Sequence, residues 1–317
     1  MSDMIRGSVL PERLQAGDRV RFVSPASPVQ QGALDNSTRV LQDLGLVVEY
    51  GEHVYDTDDT LDYLAGRDKD RLADINDALR DPGVKAIIAT RGGKGAYRIA
   101  DGLDFEAARE NPKHIIGFSE ITILHMALMK HCGLSNIHGA AWDADTFGEE
   151  SAASFVRATM STEEIVVCPS AGEATAALTT GGKVHGRLIG GNQDSIATAA
   201  GWGLPDFDGA VLLIEGANMR LGHIDRQLTM LIKSGILKNI VGVAIGQYTD
   251  CGTATDPTTD VRCTEIDVLR DRFSLLNVPI LGGLPIGHGD NPIAVPIGTM
   301  ATLDADSGTL TITPGVK

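Results

Sequence analysis

The chain is 317 residues long, enough for two domains with separate cores. Its 42 acidic against 27 basic residues leave a net charge of −15, which disfavours nucleic acid and anionic membrane surfaces as partners. The hydrophobic fraction of 43% is that of a globular protein, and with aromatics at 4% its core must be mostly Leu, Ile, Val and Ala.

Met1 to Val20 is polar, carries Glu12, Arg13 and Asp18, and lacks the apolar core of a secretory signal. No apolar run approaches the length needed to span a bilayer. Cys132, Cys168, Cys251 and Cys263 form no C-x-x-C pair. They are expected to be reduced thiols of a cytoplasmic protein, with a Cys251–Cys263 bridge as the alternative.

In chain order, Asp18 to Ser24 is the first expected strand, followed by a helix to about Leu44 that Gly45 stops. Leu46 to Tyr50 is a second strand. A polar stretch, Asp56 to Asp68, leads into a helix through Leu72, Ile75 and Leu79, ended by Asp81-Pro82-Gly83. Val84 to Ala89 is a third strand, and Arg91-Gly92-Gly93-Lys94-Gly95 is the loop after it. A further helix precedes the apolar run Ile115, Ile116 and Phe118. Helical spacing resumes with Ile121, Leu124 and Leu128. Such alternation predicts a parallel sheet covered on both faces, a three-layer α/β domain. Ligands of such sheets bind beyond the C-terminal strand ends, where Arg91–Gly95 and Ser119 fall.

From Trp142 to about Thr180 the pattern weakens into an acidic connection with Asp143, Asp145, Glu149 and Glu150. The expected division is therefore a nucleophile-bearing domain over 1–145, a linker over 146–180 and a smaller, β-rich α/β domain over 181–317. The second domain begins with a strand, Lys183 to Ile189, and Gly190-Gly191-Asn192 opens a helix. Ala210 to Ile214 is an apolar strand ending in Glu215. An amphipathic helix runs from Leu221 to Ile232, and Ile240 to Ile245 is the next strand. A helix from Thr264 to Leu276 and the segment Pro279 to Leu284 lead to Gly287-His288-Gly289. The chain closes with a hairpin, Met300 to Leu303 and Leu310 to Ile312.

Three positions stand out for chemistry. Ser119 sits where a strand hands over to a helix, beside backbone N–H groups that could hold an oxyanion. It is either a nucleophile or an N-cap. Glu215 ends an apolar strand as a solvated terminus or as the acid that orients an imidazole. His288, between two glycines, is an ordinary turn histidine or a general base, and His223 and His138 are its rivals. The order Ser…acid…His fits a triad. Gly117-Phe118-Ser119-Glu120-Ile121 is not the G-x-S-x-G elbow, because the second glycine is missing. The loop at Gly92, Gly93 and Gly95 is neither a P-loop nor G-x-G-x-x-G. It is expected to wall an oxyanion hole, with the Gly93 and Glu120 amides as donors. Arg91 is left between a substrate carboxylate and a structural ion pair. His288-Gly289-Asp290 and His223-Ile224-Asp225 are H-x-D pairs, but without H-E-x-x-H or a thiolate cluster neither a metal nor another cofactor is expected. A non-catalytic two-domain binding protein is the rival of another class.

An ordered set of short motifs resembles the LD-carboxypeptidases, a serine peptidase family that also includes microcin C self-immunity proteins. The set runs through Val23-Ser24-Pro25-Ala26-Ser27-Pro28, Tyr63-Leu64-Ala65-Gly66, Ala89-Thr90-Arg91-Gly92-Gly93 and Gly117-Phe118-Ser119-Glu120-Ile121-Thr122. It continues with Gly190-Gly191-Asn192, Leu213-Ile214-Glu215, Ile224-Asp225-Arg226, Gly287-His288 and Pro296-Ile297-Gly298. The resemblance implies an active site between the two domains, commonly in a homodimer. It implies Ser119 as nucleophile, Glu215 as orienting acid and His288 as base, with Arg91, Gly92 and Asn192 near the substrate. The implied substrate is a cell-wall tetrapeptide that loses its terminal D-alanine, and the alternative is an acyl-sulfamoyl or acyl-phosphoramidate adenosine. The family usually has aspartate where Glu120 stands and tyrosine where Lys94 stands. Its usual acidic residue, second glutamate and tyrosine are Gly216, Met219 and Gly222 here. These departures bear on the pocket wall and leave the triad intact. Trp142 or Trp202 could stack on a nucleobase.

Overall fold

A computed structural model of the chain describes residues 8–139, 143–252 and 262–317. The first half alternates β1 (Arg19–Val23), α1 (Asp35–Asp43), β2 (Val47–Tyr50), α2 (Asp68–Arg80), β3 (Val84–Ala89), α3 (Phe105–Glu110), β4 (His114–Gly117), α4 (Thr122–Cys132) and β5 (Asn136–His138). β1 to β5 are mutually parallel. β3 and β4 are apolar nearly throughout because helices cover both faces of the sheet. Gly133 ends α4 with φ 66°, the left-handed position that suits glycine after a helix.

The second half holds α5 (Ala144–Phe147), α6 (Glu149–Met160), β6 (Ile165–Val167), β7 (Lys183–Asn192), α7 (Gln193–Ala199), β8 (Ala210–Ala217), α8 (Leu221–Lys233), β9 (Gly242–Thr249), α9 (Glu265–Phe273), β10 (Ile280–Leu281), β11 (Val295–Ile297), β12 (Met300–Asp304) and β13 (Thr309–Ile312). Its sheet has seven strands in the order β10-β9-β8-β7-β12-β13-β6. The strands β7 to β10 are parallel, and β12, β13 and β6 extend the sheet antiparallel. The first sheet is six-stranded, β11-β5-β4-β3-β1-β2, so its edge is supplied from the far end of the chain. β11 lies antiparallel on β5, pairing Val295 with His138.

One apolar cluster runs from Phe22, Ile116 and Ile137 of the first sheet to Leu188, Leu213 and Ile245 of the second. A second cluster, with Ile75, Ile87, Ile115 and Leu124, fills the other face of the first sheet. The halves therefore share a core, which fixes the strand ends of one against those of the other.

The structure departs from the sequence reading in three places. Residues 146–180 hold α6, which buries Phe155 and Ala158, and β6, which completes the second sheet. Much of what α6 buries is small and polar (Ser151, Ser154, Thr159), so its hydrophobic period is faint. β11 carries no strand signal of its own, since Val295-Pro296-Ile297 is too short to give one. Glu215 lies inside β8 and not at its end, at a break in register with β9 between Ile214 and Gly216. All four cysteines are free. Among the described residues no helix is long and apolar enough to cross a membrane.

Candidate active site

After β4 the backbone turns sharply. Phe118 is extended, and Ser119 has φ 61°, a left-handed conformation rare for serine. A single 3-10 turn, Ser119–Ile121, then leads into α4. Phe118 occupies the N-cap position and no side chain caps the turn, so the capping alternative for Ser119 does not hold. Ser119 faces a cavity of about 610 Å³ that His288 also lines. A strained strand-to-helix turn is thus present without the second glycine of the G-x-S-x-G pattern.

His288 follows Gly287, whose φ of 139° brings the backbone against the neighbouring strand. A Cβ there would stand 3.1 Å from Glu215 Oε2. His288 Nδ1 lies 2.8 Å from that oxygen, and Glu215 is fully buried. With Nδ1–H donated to the carboxylate, a neutral ring keeps its acceptor on Nε2. Burial opposes the charged ring, but the hydrogen bond and charge of Glu215 outweigh it and raise the His288 pKa above its ordinary value. The ring packs on Phe118, beside Ser119, with centroids 4.8 Å apart.

Gln247, which the sequence reading passed over, holds this loop. Its side-chain oxygen accepts the Gly289 amide at 2.9 Å and its amide nitrogen donates to the Asp290 carbonyl at 3.1 Å. A glutamine in a buried strand, directly after Gly246, was the available signal.

The loop after β3 forms the opposite wall. Gly92 fits against the turn so closely that a Cβ would come within 2.7 Å of Ser119 Cβ and 3.3 Å of the Glu120 nitrogen. Among the described residues neither the Gly93 nor the Glu120 amide donates to a protein acceptor outside regular structure. The Glu120 carboxylate instead binds the loop, accepting from the Gly95 and Ala96 amides at 3.1 and 3.3 Å. Burial pushes this carboxyl up to about 7, against the opposing pull of those two amides, Lys94 and Arg71.

Arg91 is exposed on the cavity wall, and among the described residues it forms no ion pair. Lys94 reaches across to Asp194 at 3.5 Å. Asn192 also lines the cavity, while its side-chain oxygen accepts the Ser195 amide at 3.2 Å and caps α7. Of the rival histidines, His223 is exposed on the cavity wall, and His138 is buried 3.9 Å from Glu215. Glu215 is hydrogen-bonded to His288 alone of the three. Trp202 is exposed, with its indole N–H on the Thr198 carbonyl, and Trp142 lies outside the described residues.

Comparison with known proteins extends the sequence resemblance over the chain. The model of the LD-carboxypeptidase N-terminal domain matches residues 20–139. That of the LD-carboxypeptidase C-terminal domain matches residues 185–303. A putative carboxypeptidase of Streptomyces coelicolor is 38% identical, with 97% of each chain covered. A probable murein peptide carboxypeptidase of Bacillus subtilis is 33% identical over 97% of this chain and 95% of its own. The microcin C7 self-immunity protein of Escherichia coli is 25% identical over 96% of both. A solved structure of a protein of that name, in complex with aspartyl sulfamoyl adenosine, has the same fold. Its TM-score is 0.84 at 22% identity, covering 98% of this chain and all of that one. Two domain matches in the right order and relatives spanning nearly the full length settle the family: the chain belongs to the LD-carboxypeptidases.

Proposed function

We propose that the protein is a serine carboxypeptidase that cleaves an L,D-amide bond and releases the terminal D-alanine of a murein tetrapeptide. One observation carries the assignment of the triad. A serine held at φ 61° opens on the same cavity as a histidine whose Nδ1 lies on a fully buried carboxylate. In this reading Ser119 Oγ attacks the amide carbonyl while His288 Nε2 takes the hydroxyl proton. Glu215 stabilises the imidazolium. The Gly93 and Glu120 amides hold the oxyanion. His288 then passes its proton to the departing amine, and a water, deprotonated by the same ring, releases the acyl group from Ser119. Arg91, exposed on the cavity wall, is suited to the substrate's terminal carboxylate. A homodimer and a cytoplasmic location belong to this proposal, since cell-wall fragments are recycled inside the cell.

The likeness to the microcin C7 self-immunity protein favours one second reading, hydrolysis of an acyl-sulfamoyl or acyl-phosphoramidate adenosine. Of the positions where the family pattern has other residues, Lys94 and Met219 line the cavity and bear on which of the two substrates fits. The test is a mass-spectrometric screen offering murein tetrapeptide and aminoacyl-sulfamoyl adenosines side by side. Release of D-alanine by the wild type and its loss in Ser119→Ala supports the first reading. Cleavage of the nucleoside conjugates alone supports the second, and turnover retained by Ser119→Ala overturns both.

A further inference from the structure

The carboxylate of Glu215 has two oxygens and the site described so far uses one. Oε2 accepts from His288, whereas Oε1 is buried with no hydrogen-bond partner. Facing it at 3.9 Å is Nε2 of His138, a histidine 1% exposed whose two ring nitrogens are also without partners. A buried acceptor and a buried ring are both costly to leave unpaired. A leucine at 138 would avoid half of that cost, so the ring needs a reason to be there.

The two groups come from different halves of the molecule. His138 closes β5, in register with Gly117, two residues before Ser119. Glu215 lies in β8, in register with Asn192. The pair therefore spans the junction along which the cavity is built.

We propose that His138 is a positioning residue. Its Nε2–H, once the 3.9 Å gap closes to hydrogen-bond reach, holds the second oxygen of Glu215, so the carboxylate is gripped from both sides and orients His288 in the cavity it shares with Ser119. This rests on the reading of Ser119, Glu215 and His288 given above. Three titratable groups face His138: Glu215 from β8, His288 from the loop after β10, and His125 from α4. Burial pushes His138 down to about 4 and His125 down to about 3, so both rings are neutral in the working range. A neutral His138 has a single N–H, and Glu215 Oε1 is the orphan acceptor that faces it. His288 is the ring whose pKa is raised, by its hydrogen bond to Glu215 and by that carboxylate's charge.

The experiment compares full-length wild type, His138→Leu and His138→Gln in murein tetrapeptide hydrolysis, with kcat, KM and pH profile measured for each. His138→Leu should lower kcat more than about fivefold with KM within about twofold. Its acid limb should move up, because an unshared carboxylate holds the His288 imidazolium more tightly. His138→Gln, which keeps an N–H donor at similar reach, should recover at least half of the loss on a logarithmic scale. A smaller loss in His138→Leu, or no recovery in His138→Gln, overturns the proposal. Nitrogen-15 NMR of the imidazoles gives a readout that needs no turnover. His138 should be the Nε2–H tautomer, and its N–H signal should move in Glu215→Gln. If the wild type leaves the tetrapeptide intact, or Ser119→Ala stays active, the functional reading fails. NMR then decides the His138 contact alone, and the Nδ1–H tautomer or an unmoved signal overturns it.

Discussion

Gly92 and Ser119 come from loops after different strands, yet a Cβ on Gly92 would stand 2.7 Å from the Cβ of Ser119. No real pair of Cβ atoms comes so close, so the two backbones touch because residue 92 has no side chain. The contact fixes the loop after β3 against the turn that presents the serine. Gly92→Ala should therefore force the two loops apart. A shift of about 1 Å at a reacting centre costs on the order of a hundredfold in rate. Overpacking of this kind destabilises by roughly 1–3 kcal/mol. Steady-state kinetics and a thermal melt of Gly92→Ala check both. A variant with wild-type kcat would show that the turn tolerates the displacement.

The bond from His288 to Glu215 favours the charged ring. In the proposed mechanism His288 must be neutral to accept the serine proton, so activity should fall as pH drops through its pKa. Glu215 holds that pKa above the ordinary 6.5 in spite of burial. In wild type the acid limb of kcat/KM should lie above 6.5. In Glu215→Gln the raising influences vanish while burial remains, and the limb should move below it. Triad precedent puts the accompanying loss of kcat at about ten-thousandfold. A limb that stays in place in Glu215→Gln would assign it to another group.

The parts of this site that the sequence disclosed are those with local signatures. Val84–Ala89 and its glycine loop, the turn at Ser119 and the apolar run before Glu215 each announce themselves within about ten residues. Contacts made between distant segments left no such trace. Val295 pairs with His138 across 157 positions, and Gln247 grips Gly289 through side-chain atoms. α6 carries a faint hydrophobic period because part of the face it buries is Ser and Thr: the Ser154 hydroxyl accepts the Ala294 amide at 2.8 Å, just before β11, and the Thr159 hydroxyl donates to the Phe155 carbonyl at 2.8 Å. Hydropathy stops at Glu215, which makes the residue read as a strand end. The strand continues to Ala217, and its register with β9 breaks at the glutamate, between Ile214 and Gly216.

Lys94 and Asp194 form an ion pair at 3.5 Å between the two walls of the cavity, with both side chains substantially exposed. Exposed pairs contribute little to stability. Lys94→Ala should leave the unfolding midpoint within about 1 °C. The same change removes a positive charge from the wall that a peptide carboxylate must pass. KM for the tetrapeptide should rise severalfold while kcat stays within about twofold, the pattern of lost uniform binding. A fall in kcat with KM unchanged would instead place Lys94 at the reacting bond.

Glu120 ties the loop after β3 to the serine turn, and its carboxyl is pushed up to about 7, chiefly by burial. The unfolded chain would titrate this group near 4.3. Between these values the folded protein binds more protons than the unfolded one, so stability is greatest below about 4.3 and is lost as pH rises through 7. At about 1.4 kcal/mol per pKa unit, the loss is on the order of 4 kcal/mol. Glu120→Gln cannot titrate there. Replacing one carboxylate oxygen with an amide adds only a pH-independent offset. The stability difference between wild type and Glu120→Gln, from urea unfolding at several pH values, should therefore drift against wild type from pH 5 to 7.5. His288 and the other titrating groups cancel in that difference. A difference that stays flat over this range would mean that Glu120 is already ionised at pH 5 and that the loop amides hold it there.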